Sequence, residues 1–320
     1  MRFAHLSSVC LVAATVLGAP TPARADAFAS VTTLDPGARA QLVASIAAAH
    51  GRDAGAFESV RTVVARADAL DHTKQGRFYP MTALLRGVTR GHAGAALALL
   101  EPIVEPEHFT MPASSSARIA LRAGLIEAAG DKKEPAVAPV FRAILTSGTE
   151  YFEVRAAAEA LGKLTLDTDV ATLARLATTQ GPNQDAVIAG LGDCRRIGAA
   201  RALETVAGQH PTGTMAVHLL RSLELMGSAW TLAIANAAPA GEVQAIRETT
   251  ARASFAMFTS TTEPYVRTDA SNALIVIAAP ITTQWIASAR GSAPPERVAD
   301  FDALAARFAH NPTTVSGRMP

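Results

Sequence analysis

Residues 151–164 read YFEVRAAAEALGKL. Val154, Ala157, Ala158 and Leu161 stand at i, i+3, i+4 and i+7, a spacing that gathers four apolar side chains on one face of a helix. Directly downstream, Asp167-Thr168-Asp169 offers side-chain oxygens to cap a new helix. In that helix Val170, Leu173, Ala174 and Ala177 repeat the spacing, and Gly181-Pro182 closes it. Two short amphipathic helices in succession form one unit, and neither can bury its apolar face alone.

The unit recurs in both directions. AVIAGLGD (186–193) puts Leu191 where Leu161 stood, 30 residues on, and a partner helix follows from Arg201 towards Gly208. MAVHLLRSLELM (215–226) puts Leu223 in the same place after a further 32. Upstream, SARIALRAGLIEAAG (116–130) and a helix over 136–145 form a pair with Leu125 as the counterpart, 36 residues before Leu161. Runs alternating with period two, the mark of strands, are scarce. A period of 30 to 36 residues built from two helices predicts an all-α chain folded as an α-solenoid, an α-α superhelix of stacked antiparallel helical pairs.

VRAAAEALGKL at 154–164 resembles the second helix of a HEAT repeat, of the short bacterial kind also found in phycobilisome-lyase-like proteins. LGD at 191–193 and VRTDASNAL at 266–274 are similar but weaker. The resemblance covers 113–240. Degenerate pairs are expected on both sides: over 35–112 (helices at 38–50, 57–70, 79–90 and 93–103) and over 241–310, with breaks at Pro264, Pro280 and Pro294-Pro295. The resemblance implies that Arg155 and Arg267, each following a valine, serve packing between repeats by pairing with an acid of a neighbouring turn. A row of such arginines that binds anions is the alternative.

The ends predict export. Arg2 supplies a positive start, 6–17 (LSSVCLVAATVL) an uncharged apolar run, and Ala23-Arg24-Ala25 the pattern that a signal peptidase accepts, so 1–25 is expected to be a signal peptide. The run is shorter than the roughly 20 residues needed to span a bilayer. Segments 26–34 and 311–320 are expected to be a disordered linker and tail. Cleavage before Asp26 leaves 27 basic against 28 acidic residues, a balance that argues against nucleic acid as a partner. One cysteine, Cys194, remains. Flanking Arg195 and Arg196 would favour its thiolate, but a buried, inert thiol is the expectation. The core helix expected over 273–281 (ALIVIAAPI) is the only other long apolar run, and Pro280 interrupts it.

Catalytic signatures are scarce. No H-x-x-x-H or H-E-x-x-H places two ligands on a helix face, and there is no G-x-S-x-G, P-loop or G-x-G-x-x-G. The resemblance extends to iron-dependent hydroxylases that carry His-Glu dipeptides on repeat helices. This chain has only the reverse, Glu107-His108, in a proline-rich connector with Glu101 and Glu105. His218, in an apolar helix, is expected to be a satisfied core histidine. The sequence therefore predicts no catalytic residue, metal or cofactor. It predicts an exported, periplasmic or secreted, non-catalytic scaffold that binds a protein or peptide on a concave surface lined by the second helix of each pair. Those helices are expected to begin near Ser116, Phe152, Gln184, Thr214 and Glu242, with Glu159, Lys163, Gln184, Arg221 and Glu224 contacting the partner. Leu161, Leu191, Leu223, Arg155 and Arg267 hold structural repeat positions. The alternative is a periplasmic enzyme or cofactor carrier of the HEAT-like lyase type.

Overall fold

Val154, Ala157, Ala158 and Leu161 are all buried, on a helix that runs from Tyr151 to Leu164. Its start is fixed by Glu150, whose carboxylate accepts the backbone N–H groups of Phe152 and Glu153. Its end is fixed by Thr165, which turns into the left-handed region at φ 55°. The computed structural model describes residues 34–69, 78–234 and 237–311. The expected signal peptide lies outside the described residues, as does all of 26–34 except Leu34 and all of 311–320 except Asn311. Leu34 itself is buried, and Asn311 donates its side-chain amide to the Ile275 carbonyl at 2.7 Å.

The described residues form an all-helical chain without β-strands. In order the helices are α1 (Pro36–Arg52), α2 (Ala54–Ala65), α3 (Phe78–Val88), α4 (Ala95–Val104), α5 (Ser115–Gly130), α6 (Ala138–Ser147), α7 (Tyr151–Leu164) and α8 (Asp167–Thr178). After these come α9 (Gln184–Gly190), α10 (Ile197–Ala207), α11 (Gly213–Gly227), the one-turn α12 (Ala229–Leu232), α13 (Val243–Ser260), α14 (Pro264–Ile277), α15 (Thr282–Ser292) and α16 (Pro295–Ala309). The punctuation follows local chemistry. Asp35 and Ser114 cap α1 and α5 with their side-chain oxygens, while Pro36, Pro264 and Pro295 stand in first turns, where a missing N–H costs nothing.

Up to α11 helices pack on next-but-one neighbours, and beyond it the short α12 is skipped. α3 lies on α5, α5 on α7, α7 on α9, α9 on α11 and α11 on α14, while α8 lies on α10 and α10 on α13. Most buried apolar side chains form one cluster from Leu34 to Phe308. Small residues permit the close approaches. A Cβ at Gly130 would lie 2.6 Å from that of Ala160, and one at Gly190 would lie 2.6 Å from the Arg155 carbonyl oxygen. Leu125, Leu161, Leu191 and Leu223, the counterparts marked by the period, are all fully buried.

Two expectations are corrected. The helix beginning beside Glu242 is not a second helix: α13 packs on α10, and α14 takes the place beside α11. The extra segment around α12 shifts the phase of the period there. The acids of 167–169 do not cap α8 either. Leu166 holds the cap position, and Asp167 and Asp169 lie in the first helical turn, where a negative charge still suits the helix dipole. Asp169 is buried and takes two hydrogen bonds from Arg142 of α6, at 2.6 and 3.0 Å.

Candidate functional site

Along one edge of the α3–α5–α7 row, charged side chains from successive helices meet. Lys163, one turn after Glu159 on α7, is its centre. The ammonium lies 2.5 Å from Glu159, 2.8 Å from Asp131 at the end of α5, and 3.6 Å from Asp193 in the turn after α9. Arg86 of α3 binds the other oxygen of Asp131, and Arg195 binds Asp193 at 2.8 Å. Glu127 of α5 accepts the Thr82 hydroxyl at 2.7 Å. Four carboxyl groups and three cations thus alternate across three helices and a turn. The outer members are reachable from solvent: the side chains of Arg86 and Asp131 are 39% and 28% exposed, against 11% for Lys163.

Crowding separates the ionisation of these groups. Burial pushes Glu159 up to about 7, and the neighbouring charges of Glu127 and Asp193 add to it. Lys163 opposes the shift but divides its attraction among three carboxylates. Burial also pushes Asp193 upward, yet Lys163, Arg195 and a hydrogen bond with Glu159 outweigh it and hold Asp193 below the usual carboxylate range. Lys163 is held above its ordinary value because its three acids outweigh the cost of burial. Burial thus favours the protonated form of Glu159, while Lys163 and Arg195 favour the ionised form of Asp193.

A second polar group crosses α7, α9 and α11. Nδ1 of His218 lies 2.9 and 3.0 Å from the two oxygens of Asp185 and 3.1 Å from the Tyr151 hydroxyl. His218 is thus satisfied, although its side chain is 21% exposed rather than sealed in the core. Burial, with the Asp185 carboxylate adding to it, pushes the Tyr151 phenol up to about 12.

The five expected contact residues do not form one patch. Glu159 and Lys163 lie together in the charged edge. Gln184 is buried, and its amide donates to the Ala177 carbonyl at 2.9 Å, closing the end of α8, so it faces no partner. Arg221 is exposed on α11, next to the half-buried Glu224. Burial raises the pKa of Glu224, and Asp269 of α14 raises it further, while Arg221 opposes. The two repeat arginines differ. Arg267 binds Asp300 at 2.9 Å and the Thr261 carbonyl at 3.1 Å. Arg155 contributes to the field at Tyr151, and the buried Nε of both arginines has no hydrogen-bond partner among the described residues.

Cys194 is fully buried against Gly162, and burial pushes its thiol up to about 12 despite Arg196 and Arg195. This is the inert thiol that the flanking sequence made arguable. Glu101, Glu105 and His108 do not converge. Glu101 pairs with Arg61 at 3.5 Å, and His108 stands 4.0 Å from Glu105. Among the described residues no group of three or more His, Cys, Asp or Glu side chains is arranged to hold a metal ion. Nor is any described helix long and apolar enough to cross a membrane.

Sequence reasoning missed Arg86, Glu127, Asp131, Asp193, Arg195 and Asp185. The period itself held the signal. Asp131 and Lys163 are 32 residues apart, Lys163 and Asp193 are 30 apart, and Asp185 and His218 are 33 apart. Opposite or hydrogen-bonding partners one period apart on facing helices are expected to meet. No protein-family model matches the chain, and no curated protein or solved structure matches it significantly.

Proposed function

We propose that this chain is an exported, HEAT-like α-solenoid acting as a non-catalytic scaffold in the periplasm or outside the cell, and that it takes a protein or peptide on the face that carries its second helices. The observation behind this reading is the charged edge of α3, α5 and α7. Charges of both signs are held at fixed spacing by one another, with Arg86 and Asp131 open to solvent. A pre-set pattern of alternating charge selects a partner of complementary pattern, and it favours a polypeptide over a uniform polyanion. The next-but-one packing of the helices also supports the solenoid, because it sets equivalent surfaces side by side.

The test is crosslinked capture from cell-envelope extract with the intact protein and with Arg86→Glu and Arg221→Glu. Both side chains are exposed enough for reversal to leave the core intact. A retained protein lost from Arg86→Glu, with unchanged circular dichroism and melting, supports the reading. Identical capture by all three proteins overturns the assignment of the face. One observation favours the enzyme or carrier alternative: a carboxyl poised near 7 beside a second, ionised carboxyl suits proton transfer at neutral pH. Pigment or metal retained by the purified protein, and lost in Glu159→Gln, would move the weight there.

A further inference from the structure

At the other end of the described chain, α14 and α16 border an open cavity of about 300 Å³. Its apolar lining comprises the exposed Pro264 and Ala303 and the almost fully buried Phe258 and Leu304. Its walls are cationic. Arg267 and Arg307 both line it, and Asp300 is the one acid among the lining residues. Asp300 is already committed twice: its Oδ2 accepts Arg267 at 2.9 Å and Arg297 at 2.8 Å. Arg307 has only neutral partners, the Ser271 hydroxyl and the Asn272 side-chain carbonyl at 2.9 Å. The next acid along α16, Asp302, is engaged by Arg290. Two guanidinium groups thus share the Asp300 carboxylate, and the exposed Arg307, on the same cavity, is left without a carboxylate partner among the described residues.

We infer that this cavity binds a small organic oxyanion, a carboxylate or phosphate group carried on a compact apolar body. The fork of a guanidinium matches two oxygens of such a group, and the bond is charge-assisted on both sides. Arg307 can turn from its neutral partners to the oxyanion, leaving Ser271 to hydrogen-bond at its side, while the apolar body lies against the exposed Pro264 and Ala303. A volume of roughly 300 Å³ is at the small end of ligand pockets and fits a body of about ten heavy atoms. This site is separate from the charged edge and does not depend on the proposed scaffold function.

The test uses benzoate, phenylphosphonate and neutral benzyl alcohol as probes on the full chain, with titration calorimetry and ligand-observed NMR. Benzoate or phenylphosphonate is expected to bind at least about tenfold more tightly than benzyl alcohol, since a charge-assisted hydrogen bond is worth about that much. The tighter of the two anions identifies the source, carboxylate or phosphate. Arg307→Gln should lose that tenfold preference. Ala303→Trp, at an exposed position lining the cavity, should abolish binding of both anions while melting stays unchanged. Equal binding of benzoate, phenylphosphonate and benzyl alcohol, no anion binding at about 10 mM, or full retention of anion binding in Arg307→Gln and Ala303→Trp overturns the inference.

Discussion

Arg122 and Glu153 lie between α5 and α7 with side chains 1% and 7% exposed. Two hydrogen bonds join them, at 2.5 and 2.8 Å. Replacing Glu153 by leucine leaves a guanidinium in the packed interface without its carboxylate. Breaking a buried pair from one side costs about 3–5 kcal/mol, because the remaining charge has lost its two-point partner with little water to replace it. Arg122→Met should cost a similar amount by stranding the carboxylate. The double variant Arg122→Met/Glu153→Leu replaces the pair by apolar groups of comparable volume and should recover most of the loss, giving a coupling of about 3 kcal/mol or more. Urea unfolding followed by far-UV circular dichroism and tryptophan fluorescence reads this out, with coincident transitions required before free energies are compared. A single-variant cost under about 1 kcal/mol, or a double variant as unstable as the sum of its parts, would refute the view that this pair is a coupled, fully desolvated unit.

Glu159→Gln should change how stability depends on pH. The folded carboxyl, raised to about 7, holds its proton more tightly than the unfolded one at 4.5, so the intact protein loses stability as pH rises from about 4.5 to 7. Glutamine removes that slope, worth about 1–3 kcal/mol over the window, and parallel pH profiles for the two proteins would rule the shift out. Gly190→Ala forces a methyl group against the Arg155 carbonyl oxygen at 2.6 Å and should lower stability by about 1–3 kcal/mol, whereas Gly181→Ala, with open space around it, should leave the melting temperature nearly unchanged. In ultraviolet titration one phenol should ionise only near 12, and its step should vanish in Tyr151→Phe; its raised value adds stability below about pH 10 that disappears as pH climbs to 12.

Periodicity made the helices readable wherever the repeat length held. The helix over 151–164 has the bounds its spacing predicts, and Leu161, Leu191 and Leu223 fall in the core because one residue per unit must face the neighbouring helix. The reading failed where the spacing changed. α12 and the residues around it lengthen the interval after Leu223, so counting forward placed the helix at Glu242 in the wrong row. The charged edge stayed hidden for a different reason. Its pairs join residues some 30 positions apart, and only the register of facing helices shows which acid meets Lys163. Gln184 misled because a polar residue at a helix start looks exposed in sequence, while here its amide is spent on the preceding helix's last turn.

Cys194 rests against Gly162, in the contact between α7 and the turn that follows α9. A thiol reagent can reach it only when those two segments part. In a protein whose Cys10 is changed to serine, the rate of labelling therefore becomes a clock for local opening at that contact, read at a native side chain. Comparing this clock with global unfolding would tell whether neighbouring helices separate locally or only as the whole fold melts.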